Sequence, residues 1–355
     1  MRRPDILTCF AIKNRRETLL LKIAEKDILF RARLRNAVDP RMLACRIEIA
    51  HEEGGTQLTG FVQLRQTEAC VRGLAAEIFG EKNLDIKLKV LQKSTPAFAV
   101  VKGPVADVWL TPDASDREKL QTQALCGAVI RTWHREGKFT FVQLPDGYVG
   151  YCPTAQLERV SVEDYLRWKN GPRAVTLDSL AGPDYVIPAG SRLNYEDGKL
   201  LLPNGKTLAP PKSFIRVSNP SDPKFVKRLR RRAEIFMPSP YLWGGKSEIG
   251  IDCSGFTQTL MLQEGIFLPR DASMQCHVGE IVGYLKDLAD LLPGDIMFFM
   301  NDKGYVFHVG IYLGENQYMH SAGATGPTVS SVLEGGENFM TRYHGTFCYA
   351  RRVFV

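Results

Sequence analysis

The stretch PYLWGGKSEIGIDCSGFTQTLMLQEGI, residues 240–266, decides how the rest of the chain is read. Phe256, Leu260 and Leu262 offer apolar contacts after Asp252, a residue suited to an N-cap. The pattern predicts a helix that begins at or beside Cys253. The positive end of a helix favours a thiolate, so this placement predicts a lowered pKa and a nucleophile at Cys253. On that placement alone, a buried inert thiol remains open as well. Working outward, FHVGIYLGENQYMHSAG (307–323) reads as two antiparallel strands joined by Gly314, Glu315 and Asn316. Pairing Leu313 with Gln317 sets His308 opposite Ala322 and makes His320 its diagonal neighbour on the same face. A register slip of one residue would separate them. A cysteine nucleophile needs a base, and the base needs an orienting group. Two histidines on one face supply both.

Upstream of residue 240 the texture is different. Residues 1–95 form an α/β region without a chemical motif. DILTCFAI (5–12) and DILFRARL (27–34) suggest strands, whereas RMLACRIEIAHEE (41–53) and TEACVRGLAAEIFG (67–80) have helical spacing. His51, beside two glutamates, reads as a solvated surface cluster. From 96 to 158, AFAVV, ADVWL, GAVIRTW, FTFVQL and YVGYC are short strand-like runs separated by TPDASD, HREGK and PDG, the last read as a tight hairpin turn. This is the pattern of a small barrel. SVEDYLRWKNG (161–171) predicts a linking helix capped by Ser161. Residues 172–218, with Asp-Gly and Asn-Gly turns, suggest a second, degenerate barrel, a Pro-rich linker being the alternative. SNPSDPKF (218–225) marks a boundary before the amphipathic helix KFVKRLRRRAEIFM (224–237). Phe225, Val226, Leu229 and Ile235 of that helix face the core, and its basic cluster is expected on a solvated face.

The 355 residues suit several domains. With 44% hydrophobic and 24% charged residues, the composition is that of an ordinary globular chain. A net charge of +7 favours anionic partners only weakly. Eight scattered cysteines without a C-x-x-C pair argue against a disulfide framework or zinc ribbon and fit a reducing compartment. The N-terminus is a poor signal peptide, Cys9 is a poor lipid-anchor cysteine, and no apolar run is long enough to span a bilayer. No recognition motif for nucleic acid accompanies the basic helix.

Several motifs occur in order: YLWGG (241–245), DCSGF (252–256), LPRDASMQ (268–275), LPGDI (292–296) and HVGIYLG (308–314). Together they resemble the NlpC/P60 family of cysteine peptidases. LQTQALCG (120–127) and VQLPDGYVGYCPTAQLE (142–158) resemble a bacterial SH3 domain. The expected fold is multidomain α+β. It comprises a papain-like NlpC/P60 domain (219–355), SH3-like barrels (96–158 and 172–218) and an α/β N-terminal region (1–95).

The resemblance implies cleavage of amide bonds in peptidoglycan peptides. It assigns Cys253 as nucleophile, His308 as base and His320 as the residue orienting it. Tyr241 supplies an oxyanion donor together with the Cys253 N–H. The domain order is similar to γ-D-glutamyl-L-diamino acid endopeptidases of the YkfC type, which take stem peptides with a free N-terminal L-Ala. Asp252, Ser254, Trp243 and Asp271 match positions lining the substrate pocket, and a carboxylate there suits the substrate ammonium. Tyr148 is the candidate barrel tyrosine, with Tyr151 the alternative. The chain departs from the pattern at Ala272, where some relatives have serine, and at Lys119, where relatives often have glutamate; Glu118 is adjacent. Residues 1–95 have no counterpart.

The expected partners are peptidoglycan-derived peptides, with neither nucleic acid nor membrane insertion, no metal and no cofactor. The expected location is the cytoplasm, or outside it if an export signal is missing or atypical. Three alternatives stand beside this reading: a secreted hydrolase of intact wall peptides, a non-catalytic wall-peptide binder, and a thiol acyltransferase acting on lipids.

Overall fold

A computed structural model describes residues 18–32, 39, 41–52, 55–82, 84–92, 96–210, 224–284 and 288–354. The expected strand at 5–12 and Cys9 lie outside the described residues, as does most of the boundary segment 218–225. Two units are distinguished: one runs to Pro96 and includes Gly147–Val149, and the other comprises Ala97–Asp146 and Gly150–Val355.

In the first unit a helix over residues 18–32 (α1) precedes strands β1 (Cys45–Glu52) and β2 (Gly55–Val62), helix α2 (Arg65–Phe79) and strand β3 (Leu84–Val90). Two sequence expectations are corrected here. DILFRA lies in α1, where Ile28 and Ala32, one turn apart, are both fully buried. CRIEIAHE is a strand, not a helix. Cys45 and Ile47 face the core while Glu48 and Ala50 are exposed, the two-residue period of a half-buried strand. β1 pairs antiparallel with β2, and α2 carries the chain across to β3, parallel to β2. Leu58, Val62, Val71, Leu74 and Ala75 close the core between sheet and helices.

The second unit opens with a seven-stranded barrel sheet. Its strands are β4 (Ala97–Val101), β5 (Val105–Trp109), β6 (Leu120–Leu125), β7 (Val129–Glu136), β8 (Phe139–Gln143), β9 (Val149–Pro153) and β10 (Leu157–Val160), in the order β10-β4-β7-β8-β9-β5-β6. The turn between β8 and β9 takes residues 144–148, longer than the tight hairpin that PDG suggested, with Gly147 at φ +90°. Helix α3 (Val162–Asn170) follows, with the Ser161 hydroxyl accepting from the Asp164 N–H.

Six short strands come next: β11 (Arg173–Val175), β12 (Leu180–Gly182), β13 (Tyr185–Ile187), β14 (Arg192–Glu196), β15 (Lys199–Leu201) and β16 (Thr207–Leu208). They make a four-stranded sheet, β11-β14-β15-β16, and a separate hairpin, β12-β13. The β14–β15 turn is Asp197-Gly198, both at positive φ, as a two-residue hairpin demands. Trp168 of α3 is buried with Leu193 and Leu200 beneath this sheet.

The C-terminal domain contains α4 (Phe225–Ala233), β17 (Lys246–Ser247), β18 (Gly250–Ile251), α5 (Cys253–Gln263), α6 (Ala272–Gln275), β19 (Glu280–Tyr284), β20 (Ile296–Met300), β21 (Val306–Gly314), β22 (Gln317–Ala322), β23 (Gly326–Ser331) and β24 (Phe347–Arg352). Its six-stranded sheet runs β19-β24-β20-β21-β22-β23, with every neighbour antiparallel. Phe256, Leu260 and Met261 of α5 share one core with Val309, Ile311 and Met319 of the sheet. The basic face of α4 is not simply solvated. Arg232 is buried and pairs with the fully buried Glu264, and Arg228 also reaches Glu264, at 2.9 Å. A buried carboxylate requires such partners.

The β6 strand of the barrel meets this domain through side-chain bonds. Gln123 Oε1 accepts from the Lys246 N–H (2.8 Å), and Arg270 Nε donates to Thr122 Oγ1 (2.8 Å). Among the described residues, no helix is long and apolar enough to cross a membrane.

Candidate active site

Asp252 starts α5 and fixes everything around it. Its Oδ1 accepts from the Gly255 N–H at 2.7 Å, the N-cap bond the sequence predicted. Arg270, 1% exposed, donates to both carboxylate oxygens, at 3.0 and 2.7 Å, and to Ser254 Oγ at 2.8 Å. Gly244 N–H gives a further bond to Oδ2, and Ser254 Oγ one to Oδ1. Five donors therefore converge on Asp252. The sequence reading set Asp252 and Ser254 in the substrate pocket; the structure sets both in a buried network that builds the helix start. Arg270 was missed, because a lone arginine after a proline carries no spacing signal.

Cys253 is the first residue of α5, and its sulfur accepts from the N–H groups of Val309 and Ser254. Val309 follows His308 on β21, so the sulfur lies against the strand that carries the histidine. His308 Nε2 and His320 Nδ1 are 2.8 Å apart, and His320 Nε2 lies 3.0 Å from Ser330 Oγ on β23. Among the described residues, these bonds leave Nδ1 of His308 as the ring nitrogen with no hydrogen bond. With Nε2–H of His308 donating to His320 and Nε2–H of His320 donating to Ser330, Nδ1 of His308 is an acceptor for the thiol proton.

The β21–β22 register accounts for the dyad. Tyr312 pairs with Tyr318 and Ile311 with Met319, then a bulge sets Gly314 against Gln317. The turn is Glu315-Asn316, both at positive φ, not the three residues expected. A side chain at Gly310 would lie 2.8 Å from Tyr318 Cδ2 and 3.2 Å from His320 Cβ, so glycine there makes room for β22 and the tyrosine that covers His320. Tyrosine rings cover both imidazoles. Tyr343 stacks on His308 at 4.1 Å, and Tyr318 on His320 at 4.5 Å. Ser330 and Tyr343 were also missed by the sequence reading, since neither sits in a recognisable motif.

Electrostatics work against one expectation. Burial, and next the Asp252 carboxylate, push the Cys253 thiol up to about 12, against the Val309 N–H, Arg270 and the Ser254 N–H, which favour the thiolate. Burial, then His320 and Arg342, holds His308 well below its ordinary value. Burial thus favours the neutral form of both Cys253 and His308. Alkylation of Cys253 by iodoacetamide should accordingly keep rising through the alkaline range, with no plateau near pH 5. A rate already at its maximum at pH 5 would show a resting thiolate instead.

Burial also pushes His320 down to about 3. The unfolded chain takes up protons as pH falls through about 6.5, while the folded chain does not. The stability held by the neutral pair is therefore complete above about pH 6.5 and is lost as pH falls from there toward 3, by ~1.4 kcal/mol per pH unit for each histidine. Urea midpoints between pH 7.5 and 5 should show this slope, and His320→Gln should flatten it. An equal slope in that variant would assign acid sensitivity to other groups.

The remaining predicted residues are placed as follows. Tyr241 is half-buried, and burial, then Cys253 and Asp252, raise its hydroxyl, so it remains a donor. Trp243 is 61% exposed. Asp271 caps α6 and follows Arg270 in the chain. Tyr148 is buried and groups with the N-terminal unit, while Tyr151 packs in the barrel with its hydroxyl on Glu136 Oε2 at 2.9 Å. Glu118 is exposed, and Lys119 pairs with Asp116 at 3.5 Å.

Comparison with known proteins agrees with this architecture. Residues 238–345 match the NlpC/P60 family and residues 110–157 the bacterial dipeptidyl-peptidase Sh3 domain. A γ-D-glutamyl-L-lysine dipeptidyl-peptidase of Bacillus cereus is 30% identical over 242 residues, covering 60% of this chain and 69% of the relative. The protein of that name in Bacillus subtilis is 29% identical over 259 residues, covering 66% and 81%. The crystal structure of an NlpC/P60 family protein from Bacillus cereus superposes with a TM-score of 0.60 at 25% identity, covering 73% of this chain and all of the other. With an SH3-like barrel ahead of the domain that carries Cys253 and the two histidines, the chain belongs to the NlpC/P60 family of cysteine peptidases.

Proposed function

We propose that the chain hydrolyses peptidoglycan stem peptides at the amide bond between γ-D-Glu and the diamino acid, acting on peptides with a free N-terminal L-Ala. The observation that carries this is Cys253 at the start of α5, against β21 and the His308–His320–Ser330 relay. The names of the two Bacillus relatives support the bond and its donor side.

The Cys253 proton passes to His308 Nδ1 as Sγ attacks the γ-carbonyl carbon. The Tyr241 hydroxyl and the Cys253 backbone N–H hold the oxyanion. The C–N bond then breaks, and His308 returns its proton to the leaving amine. Water, deprotonated by His308, hydrolyses the thioester and frees the thiol. Tyr343, stacked on His308, keeps the ring in plane through both transfers.

Asp252 is engaged by five donors, so recognition of the substrate ammonium falls to Asp271, and exposed Trp243 offers a face for the peptide. In this reading the enzyme acts in the cytoplasm on peptides already released from the wall.

The test is hydrolysis of L-Ala-γ-D-Glu-meso-diaminopimelate, its L-Lys counterpart and their N-acetylated forms. The free-amine peptides should be cleaved about 100-fold faster, the effect of losing the charge pairing between the substrate ammonium and Asp271. Equal cleavage of free and acetylated peptides would favour a hydrolase of intact wall peptides. Cleavage of none would sink the proposed substrate.

A further inference from the structure

We propose that a second cavity, at the junction of the two barrel regions and the peptidase domain, binds a small organic acid: a carboxylate carried on an apolar body. The cavity is about 330 Å³, enough for a small ligand, and none of Cys253, His308, His320 or Tyr241 lines it. It is therefore a site apart from the one that performs the chemistry.

Three cationic side chains reach it from two directions. Arg173 of β11 and Arg192 of β14 come from the second barrel region, and Lys246 of β17 from the segment leading to Cys253. Among the described residues, none of the three makes a side-chain hydrogen bond or ion pair. Asp146 is the single carboxylate in the wall, and its Oδ2 lies 3.4 Å from Gln258 Nε2. Burial, and next the charge of Arg192, pushes Arg173 down to about 10, and burial pushes Lys246 down to about 8. Three cations facing one carboxylate leave an excess of positive charge in the cavity, and an anion between them lowers that cost.

Three polar atoms point the same way. Arg173 Nε, Gln258 Oε1 and Thr259 Oγ1 are buried without a partner, and Gln258 and Thr259 are only 5% and 1% exposed. Buried polar groups are ordinarily satisfied, so three unsatisfied atoms around one cavity mark a missing ligand. The Arg173 Nε–H and the Thr259 hydroxyl donate to a carboxylate. Gln258 Oε1 is left to accept from a hydroxyl or N–H on the same molecule. The rest of the wall is apolar, with Leu125, Leu262 and Leu268 inside. Arg192 stacks at 4.7 Å over Phe267, which is 61% exposed. That pairing sets a guanidinium and an apolar ring side by side, as an acid with an apolar tail requires.

Isothermal titration of the full chain with acetate, hexanoate and hexan-1-ol tests this. Hexanoate should bind one per chain and at least about tenfold tighter than acetate, since each added methylene is worth ~0.8 kcal/mol when buried. Hexan-1-ol, without the charge, should not bind measurably. Arg173→Met should fold at least as stably, because it removes a half-buried guanidinium whose Nε has no partner, and should weaken hexanoate at least about tenfold. Thr259→Val, nearly isosteric, provides a second variant with the same expectation should the first fail to fold. Hexanoate binding no tighter than acetate would overturn the proposal, and so would affinity unchanged in both variants.

Discussion

Cys253→Ala is expected to lower turnover by at least about 10⁴-fold, leaving only what positioning and the oxyanion donors contribute. His308→Ala should fall to the same floor. The neutral resting pair is the reason. A thiol pushed up to about 12 by burial attacks only as its proton leaves, and the proposed mechanism gives that proton to His308 Nδ1. Nucleophile and base thus act as one unit, and the double variant should be no slower than either single one. His320→Gln should retain part of the activity, because an amide oxygen at that place can still accept from His308 Nε2–H and orient the ring. Losses that multiply in the double variant would mean that the two residues contribute independently. Full activity in Cys253→Ala would sink the covalent mechanism outright.

Arg270→Met should cost about 3–5 kcal/mol of stability, the effect of stripping a buried carboxylate of its cation. Arg270 is 1% exposed and gives Asp252 two bonds of 3.0 and 2.7 Å. It also holds Ser254 Oγ, and its Nε donates to Thr122 on the barrel strand β6. Its removal unpins both the start of α5 and a polar link between barrel and peptidase. Asp252→Asn in the same chain should recover part of the loss, since no charge is then left unpaired. Urea unfolding of the two single variants and the double variant closes the cycle. A loss below about 1 kcal/mol for Arg270→Met would mean that water or a neighbour replaces the guanidinium.

Regular elements with strong local signals were legible in the sequence. The α5 start was marked by Asp252 before an apolar run, α3 by Ser161, and the β14–β15 hairpin by Asp197-Gly198, whose positive φ angles few residues besides Asn, Asp and Gly tolerate. The first 95 residues were harder. RMLACRIEIAHEE carries both periods in a short window, and the sheet partner that selects the two-residue period, β2, lies further along the chain. DILFRA has the composition of a strand, yet Ile28 and Ala32 share the buried face of a helix. Propensity gave way to burial in both places.

By itself the sequence determined the chemical cast: a cysteine at a helix start, two histidines on one strand pair, and a tyrosine upstream, in an order that the fold preserves. Only the tertiary structure decided how that cast is used. It engaged Asp252 with five donors, brought Arg270 and Ser330 to complete the two networks, and laid Tyr343 on His308. It also set burial against the expected thiolate. A helix start favours a thiolate, but depth of burial and a carboxylate behind the sulfur outweigh it, and both depend on what packs against the helix. Spacing along a chain encodes which groups share a face, whereas desolvation and counter-charge are set by residues far away in sequence.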